Sequence, residues 1–343
     1  MMTPIFDQAM WNEIVEGYTF YDCAILREHG FCFVLLEDDT DDDIRPSTRF
    51  LVMGIDRPLD ERFTYEESDV YGYTTVAASA DPMGYVAVDT SSHVFAVDAF
   101  DMDEEDAIDE VLDMSTYGGR TGTISKVVRV AGQIYALGDY RRIYRRLGVD
   151  QWRDLRSENR GLPMPADVEE GDIYSDGLGF NDMSAFSATD MYAAGGHGDV
   201  WRFDGEKWRS CPIPTKANLQ TVCCAGDGTV YITELNGCVW RGRGDHWTKI
   251  ADAELAAGSH PVDSFWFNGR LYLGAQQGIF TLSADGKHVV PLQDVEDDAP
   301  NPTNGGRLDL SPDGRFLLTA GPYGACLHDG SGWRRLFSAF DFA

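Results

Sequence analysis

Two regularities predict an all-β fold, a single β-propeller spanning residues 1–343: short apolar stretches that end in turn signals, and an aromatic beat at fixed spacing. From Tyr192 the beat falls on Trp201 and Trp208, nine and sixteen positions on, and from Tyr231 on Trp240 and Trp247 at the same steps. Tyr135 leads to Tyr144 and Trp152, Tyr272 to Phe280 and His288, and Leu318 to Cys326 and Trp333. A further strand precedes each unit: "ISKVVRVAGQ", "MSAFSATD", "LQTVCCAGDG", "DSFWFNGR" and "RLDLSPDGR". Four antiparallel strands in a repeat of roughly 40–45 residues define a propeller blade. One such sheet cannot bury both faces, so copies must stack about an axis. The recurring Trp and Tyr side chains are then expected between sheets.

Taken in order, "YTFYDCAILREHGFCFVLLEDD" and "STRFLVMGI" form a first, degenerate blade, and "YTTVAASADPMGYVAVDTSSHVFAVDAF" supplies a second, the two covering about 17–100. The stretch 101–114, "DMDEEDAIDEVLDM", sets Ile108, Val111 and Leu112 on one side and predicts a short helix near 102–114. Five clear blades follow over about 124–337. The total is seven, or six if the N-terminal region is one decorated blade. The last unit owns all four of its strands, so the closure of the ring is not written in the repeat.

The architecture resembles the WD40, kelch and YVTN-type propellers, and "SPDGRFLLTAG" is similar to the turn of YVTN and TolB-like repeats. The GH…WD signature of WD40 repeats is absent. The resemblance implies a fold and no particular activity.

Composition narrows the function. The net charge of −29 and pI near 4.4 repel nucleic acid and anionic membranes and favour a basic protein partner. No apolar run reaches the roughly 20 residues that cross a bilayer. The N-terminus lacks a basic segment followed by an apolar core, and the seven cysteines contain no CxxC pair. A cytoplasmic protein without disulfides or structural zinc is expected. Motifs for hydrolases, nucleotide-binding loops and zinc proteases are missing, and neither "DDTDDD" nor "DIYSDG" meets the pattern of a calcium loop. The expectation is no catalysis, no cofactor and no metal.

Four acidic segments interrupt the repeat, and such interruptions are where binding residues concentrate. Their carboxylates are the candidate partner-binding residues: Asp38, Asp39, Asp41, Asp42 and Asp43; Asp101, Asp103, Glu104, Glu105 and Asp106; Glu169, Glu170 and Asp172; Glu296, Asp297 and Asp298. Solvated loop charge is the plain alternative for all of them. Arg145, Arg202 and Arg241 share one repeat position and are expected to be structural, whereas Arg141 and Arg142 are extra and are expected to pair with the acidic loops or, as the second reading, to touch a partner.

The charge profile is similar to that of bacterial immunity proteins that neutralise a toxin domain. The resemblance implies occlusion of a basic toxin, such as a nuclease, by loop carboxylates. A general interaction scaffold is the second reading. A carbohydrate-binding propeller is the third, and it requires Trp201, Trp240 or their equivalents at the surface.

Overall fold

The computed structural model describes residues 4–38, 46–98, 101–108, 123–162, 178–256, 258–293 and 298–342. Among these, the strands form seven four-stranded antiparallel sheets, each built from four strands consecutive in sequence. The first strands are Tyr18–Arg27, Thr74–Ala80, Ile124–Val130, Asp182–Ser187, Leu219–Cys224, Pro261–Phe267 and Arg307–Leu310, for blades 1 to 7. Each first strand lies beside the next around the ring, and the seventh returns to the first. The fold is therefore a seven-bladed β-propeller with the first strands innermost.

The aromatic beat lies between the sheets. Trp201 and Trp240 are each 8% exposed, and Trp208 and Trp333 are buried. Trp201 packs with Met183, Tyr135 and Leu137 at the interface of blades 3 and 4. Trp240 packs with Tyr192 and Ile232 between blades 4 and 5. The tyrosine that opens a unit faces the shared arginine position across the hairpin, as Tyr192 faces Arg202 and Tyr231 faces Arg241. Arg202 lies 5.6 Å from the Tyr192 ring centre and 2.8 Å from Asp190. These arginines are structural, as the repeat predicted.

Closure uses no exchanged strand. Phe6, Trp11, Ile14 and Val15 from the N-terminal segment insert where blade 1 meets blade 7, packing on Phe20, Phe33, Leu318 and Phe337. Trp11 sits on the helix α1 (Gln8–Ile14), whose Asp7 side chain accepts from the Met10 amide at 2.8 Å. Its ring stacks on Phe342 at 4.5 Å, and Phe6 meets Phe337 edge-on at 5.3 Å. Arg62 donates to the Ile5 carbonyl at 2.6 Å, tying the segment to blade 1. The two chain ends thus form a hydrophobic latch.

The helix expected near 102–114 is corrected over its described part. Met102–Glu105 is the fourth strand of blade 2, with Val97 opposite Met102 and Phe95 opposite Glu104. The Asp101 amide donates to the Asp98 carboxylate at 2.9 Å, and the Asp98 amide to the Asp101 carbonyl at 3.0 Å, which turns the chain back along the sheet. A helix there would leave the third strand's outer edge without a partner. Residues 109–114 lie outside the described residues.

Phe337→Ala should open the latch and cost about 3–5 kcal/mol. Trp201→Ala should cost a similar amount by leaving a cavity between blades. Urea unfolding followed by tryptophan fluorescence and far-ultraviolet dichroism measures both, and unchanged midpoints would remove the packing role assigned to these rings.

Candidate functional site

Strand direction alternates within each blade, so the connections sort onto two faces. Turns between first and second strands, and between third and fourth, open on one face. Turns between second and third strands, and the links to the next blade, open on the other, here called the linker face. Hydrogen bonds tie this second set together: the Leu235 amide donates to the Asn218 carbonyl at 2.8 Å, and the Tyr323 amide to the Thr303 carbonyl at 2.8 Å. The described residues of the acidic segments 37–43 and 293–304, and those that close 156–182, stand at the linker face, whereas the described part of 101–114 begins at a turn on the opposite face and runs along the fourth strand of blade 2.

The individual candidates divide unevenly. Asp38 follows the second strand of blade 1 on the linker face, exposed and accepting from the Thr19 hydroxyl. Asp298 is exposed in the link between blades 6 and 7, also on the linker face. Asp106 follows the outer strand of blade 2, and its amide donates at 2.7 Å to Asp150 in the third-to-fourth turn of blade 3, so it stands at the outer rim beside the opposite-face turns. Asp101 is at the turn on the opposite face, so the structure does not bring it together with Asp38 and Asp298. Asp103 and Glu104 line the outer edge of blade 2. Glu105 is not a loop charge at all. Its side chain is 5% exposed and grips Arg146 through both guanidinium ends, one at 2.5 Å. Asp39, Asp41, Asp42, Asp43, Glu169, Glu170, Asp172, Glu296 and Asp297 lie outside the described residues.

Arg141 also finds a different partner from the one expected. It donates to both oxygens of Asp199 at 2.8 and 3.1 Å and lies 5.0 Å from the Trp201 ring centre. The pair bridges blades 3 and 4. Arg142 is buried, 5.7 Å from the Tyr140 ring centre. The buried positions of Trp201 and Trp240 remove the aromatic platform that a sugar-binding reading required.

The sequence reading missed the axis. Asp22, Thr75, Lys126, Asp182, Thr221, Asp263 and Arg307 occupy one position per inner strand, and Asp22, Lys126, Asp182, Asp263 and Arg307 line a central cavity of about 360 Å³ with Arg129 and Asp309. In blades 1, 3, 5 and 6 the register slips at the residue just before this position, a bulge that re-aims the side chain. Many of these groups reach the next blade. Asp22 accepts from the Val76 amide at 2.8 Å, Thr75 from Val127 at 2.8 Å, Asp182 from Val222 at 3.0 Å and Asp263 from Leu308 at 3.0 Å. Asp309, two positions further along blade 7, accepts from the Ile25 amide at 2.8 Å and completes the passage back to blade 1.

Cations cross the axis to these carboxylates. Lys126 lies 2.7 Å from Asp263 and 3.2 Å from Asp182 and donates to the Val262 carbonyl at 2.9 Å. Arg307 joins Asp22 at 2.8 Å to Asp263 at 3.3 Å, and Arg129 reaches Asp309 at 3.6 Å. Burial raises the carboxyls of Asp22 and Asp182 above the ordinary range. Asp263 is buried too, but Arg307 and Lys126 outweigh that and hold it below the ordinary range. Burial pushes Asp309 up to about 6 against the pull of Arg129. A legible trace existed: a polar residue directly before the apolar run in each inner strand, as in "YDCA", "TTVA", "SKVV", "NDMS", "QTVC", "VDSF" and "GRLD". No group of three His, Cys, Asp or Glu is arranged to hold a metal ion among the described residues.

No protein-family model matches the chain. Over 189 residues it is 33% identical to a protein named Immune protein Tsi7 from Pseudomonas aeruginosa, an alignment that covers 55% of this chain and 57% of that protein. The chain thus spans little more than half the length of the curated relative it matches. Among solved structures it is similar to the WD40 β-propeller domain of Doa1, with a TM-score of 0.55, 10% identity and coverage of 93% of this chain and 92% of that one. It is also similar to a catalytically inactive virginiamycin B lyase from Staphylococcus aureus with quinupristin, with a TM-score of 0.51, 11% identity and coverage of 76% and 83%. At these identities the likenesses show the fold alone.

Lys126→Met should cost about 3–5 kcal/mol, because Asp182 and Asp263 lose their shared cation while buried. Adding Asp263→Asn should restore part of that loss in urea unfolding. Asp309 sets a pH dependence of definite sign. Its folded pKa, about 6, lies above its unfolded value near 4, so its stabilising contribution is full below pH 4 and lost as pH rises through 6. The stability difference between wild type and Asp309→Asn should shift by on the order of 3 kcal/mol from pH 4 to pH 7. A flat difference would remove the raised carboxyl.

Proposed function

We propose that this chain is a non-catalytic immunity protein that neutralises a cognate toxin in the cytoplasm by covering it with the linker face. The observation that carries this is the 33% identity, over more than half of the chain, to a protein named as an immune protein. The fold fits a binding role: a rigid ring offers a broad end surface whose connections vary independently of the core. The charge fits a basic partner. With −29 overall and acidic interruptions flanked by linker-face residues, long-range attraction speeds encounter and rejects acidic proteins.

The axial cavity supports binding over catalysis. Its lysine, arginines and aspartates are committed to one another and to the amides of neighbouring blades. The partner surface therefore comprises Asp38 and Asp298 with the acidic segments they border. Carboxylates there would occupy the cationic cleft of a toxin such as a nuclease. The free, mostly buried cysteines are consistent with a reducing compartment.

The test is co-expression. Proteins encoded beside this chain are induced singly in a heterologous host, and one of them should arrest growth and be relieved by this chain. Association of the purified pair should slow at least about tenfold between 50 and 300 mM salt. Exchanging Asp38 and Asp298 for Asn should slow it at low salt while leaving the melting temperature unchanged. No arrest that this chain relieves would overturn the immunity reading, and salt-indifferent association would overturn the electrostatic part.

A further inference from the structure

We infer that the partner is gripped by an exposed aromatic patch on the linker face, running from the junction of blades 7 and 1 to the link into blade 2, with Tyr73, Tyr323 and Phe340 as anchors for lysine and arginine side chains. The inference rests on the immunity reading above and assigns the residues that hold the complex together.

Large apolar side chains are mostly interior in this protein, and the exceptions are unevenly placed. Tyr73 is 60% exposed, Tyr323 47% and Phe340 64%. Tyr73 ends the link from blade 1 to blade 2, Tyr323 sits in the second-to-third turn of blade 7, and Phe340 follows its last strand. All three connections open on the linker face. They are also neighbours in pairs: Tyr323 and Phe340 rings are 5.9 Å apart, and Tyr73 lies 5.7 Å from Tyr21 on the inner strand of blade 1. The Phe20 amide donates to the Pro322 carbonyl at 3.2 Å, which brings the Tyr21 and Tyr323 ends of the patch together across the blade junction. The Ala339 amide donates to the Tyr323 carbonyl at 2.7 Å, so the backbone beneath is ordered by hydrogen bonds.

Elsewhere the protein covers such rings with its own cations. Arg49 lies 3.8 Å from the Tyr18 ring centre, Arg160 4.5 Å from Phe203, and Arg243 4.2 Å from Phe186. Among the described residues no arginine or lysine lies over Tyr73, Tyr323 or Phe340. Their faces carry negative electrostatic potential, and exposed Asp38 and Asp69 stand on the same face. Carboxylates on the same face add long-range attraction for a cation stacked on such a ring. A purely apolar partner would desolvate those carboxylates without pairing them. A second copy of this chain would bring −29 against −29, which repels. Basic side chains on a toxin are the occupant that satisfies both rings and acids, and rigid aromatics are the residues that dominate protein interfaces.

The test uses the full-length chain and the toxin identified by growth rescue, with association and dissociation followed by biolayer interferometry. Tyr73→Ala, Tyr323→Ala and Phe340→Ala should each speed dissociation about tenfold or more while changing association less than about threefold. Melting temperatures should stay at the wild-type value, since the rings are exposed. Asp38→Asn with Asp69→Asn should show the reverse pattern, slower association that salt abolishes. Met83→Ala and Val149→Ala, exposed on the opposite face, should change neither rate. Tight binding of the wild type with unaltered dissociation of all three aromatic variants would overturn this inference and leave immunity standing. A wild-type chain that binds no toxin would overturn both.

Discussion

The innermost strand of each blade sets the terms for this structure. One of its edges pairs with the second strand, and the other faces the axis, where no further strand can lie. Backbone amides on that edge are buried and need acceptors. The chain supplies them from the neighbouring blade: Asp22 to Val76, Thr75 to Val127, Asp182 to Val222, Asp263 to Leu308 and Asp309 to Ile25. Each bond satisfies an amide and fixes the height of one blade against the next. The solution brings its own cost, because it gathers four carboxylates around a narrow cavity. Lys126, Arg129 and Arg307 answer them across the axis, and three cations against four acids leave the carboxyls of Asp22, Asp182 and Asp309 raised by burial, that of Asp309 to about 6.

This buried economy of charge separates two populations that the sequence presents as one. Glu105 and Asp263 are as acidic on paper as Asp298, yet both are engaged by cations inside the fold. Asp38 and Asp298 stand exposed on the linker face. Net charge therefore overstates what is available to a partner at any one place, while topology concentrates it. The links between blades and the second-to-third turns share one end of the ring, so insertions in either kind of connection accumulate there without disturbing a strand.

The beat of Trp and Tyr was legible because those rings fill the space between sheets, where spacing is dictated by the strands beneath. Blades 1 and 2 looked degenerate for the same reason in reverse: Phe31, Phe33, Phe50, Tyr85 and Phe95 do the filling there, at other positions along the sheet. The fourth strand of blade 2 was misread as helix because four residues, Met102–Glu105, are too few to display a period of two. Its identity comes from the edge it completes. Closure was illegible for a different reason. It joins Phe6 and Trp11 to Phe337 and Phe342, more than 300 positions away, and no local pattern records such a contact. The axial ring was legible in principle, as one polar residue before each inner apolar run, but alternation along a strand already accounts for a polar residue there. Only the bulges that aim it at the axis give it a separate meaning.

The latch and the aromatic patch meet at the same junction, and that coincidence has a physical consequence. Blade 7 and blade 1 are joined through residues from both chain ends, so this seam depends on tertiary packing of Phe6, Trp11, Phe337 and Phe342 where the other seams join blades consecutive in the chain. Tyr323 and Phe340 project from the linker-face rim of that seam, with Tyr73 one blade further on. A partner seated there touches both sides of the junction at once. Binding energy gained on the patch is then coupled to the closed ring, because an opened seam would separate the rings that the partner must engage together. By mass action a partner seated there would favour the closed ring over any open state, so it would stabilise the seam that joins blades not consecutive in the chain.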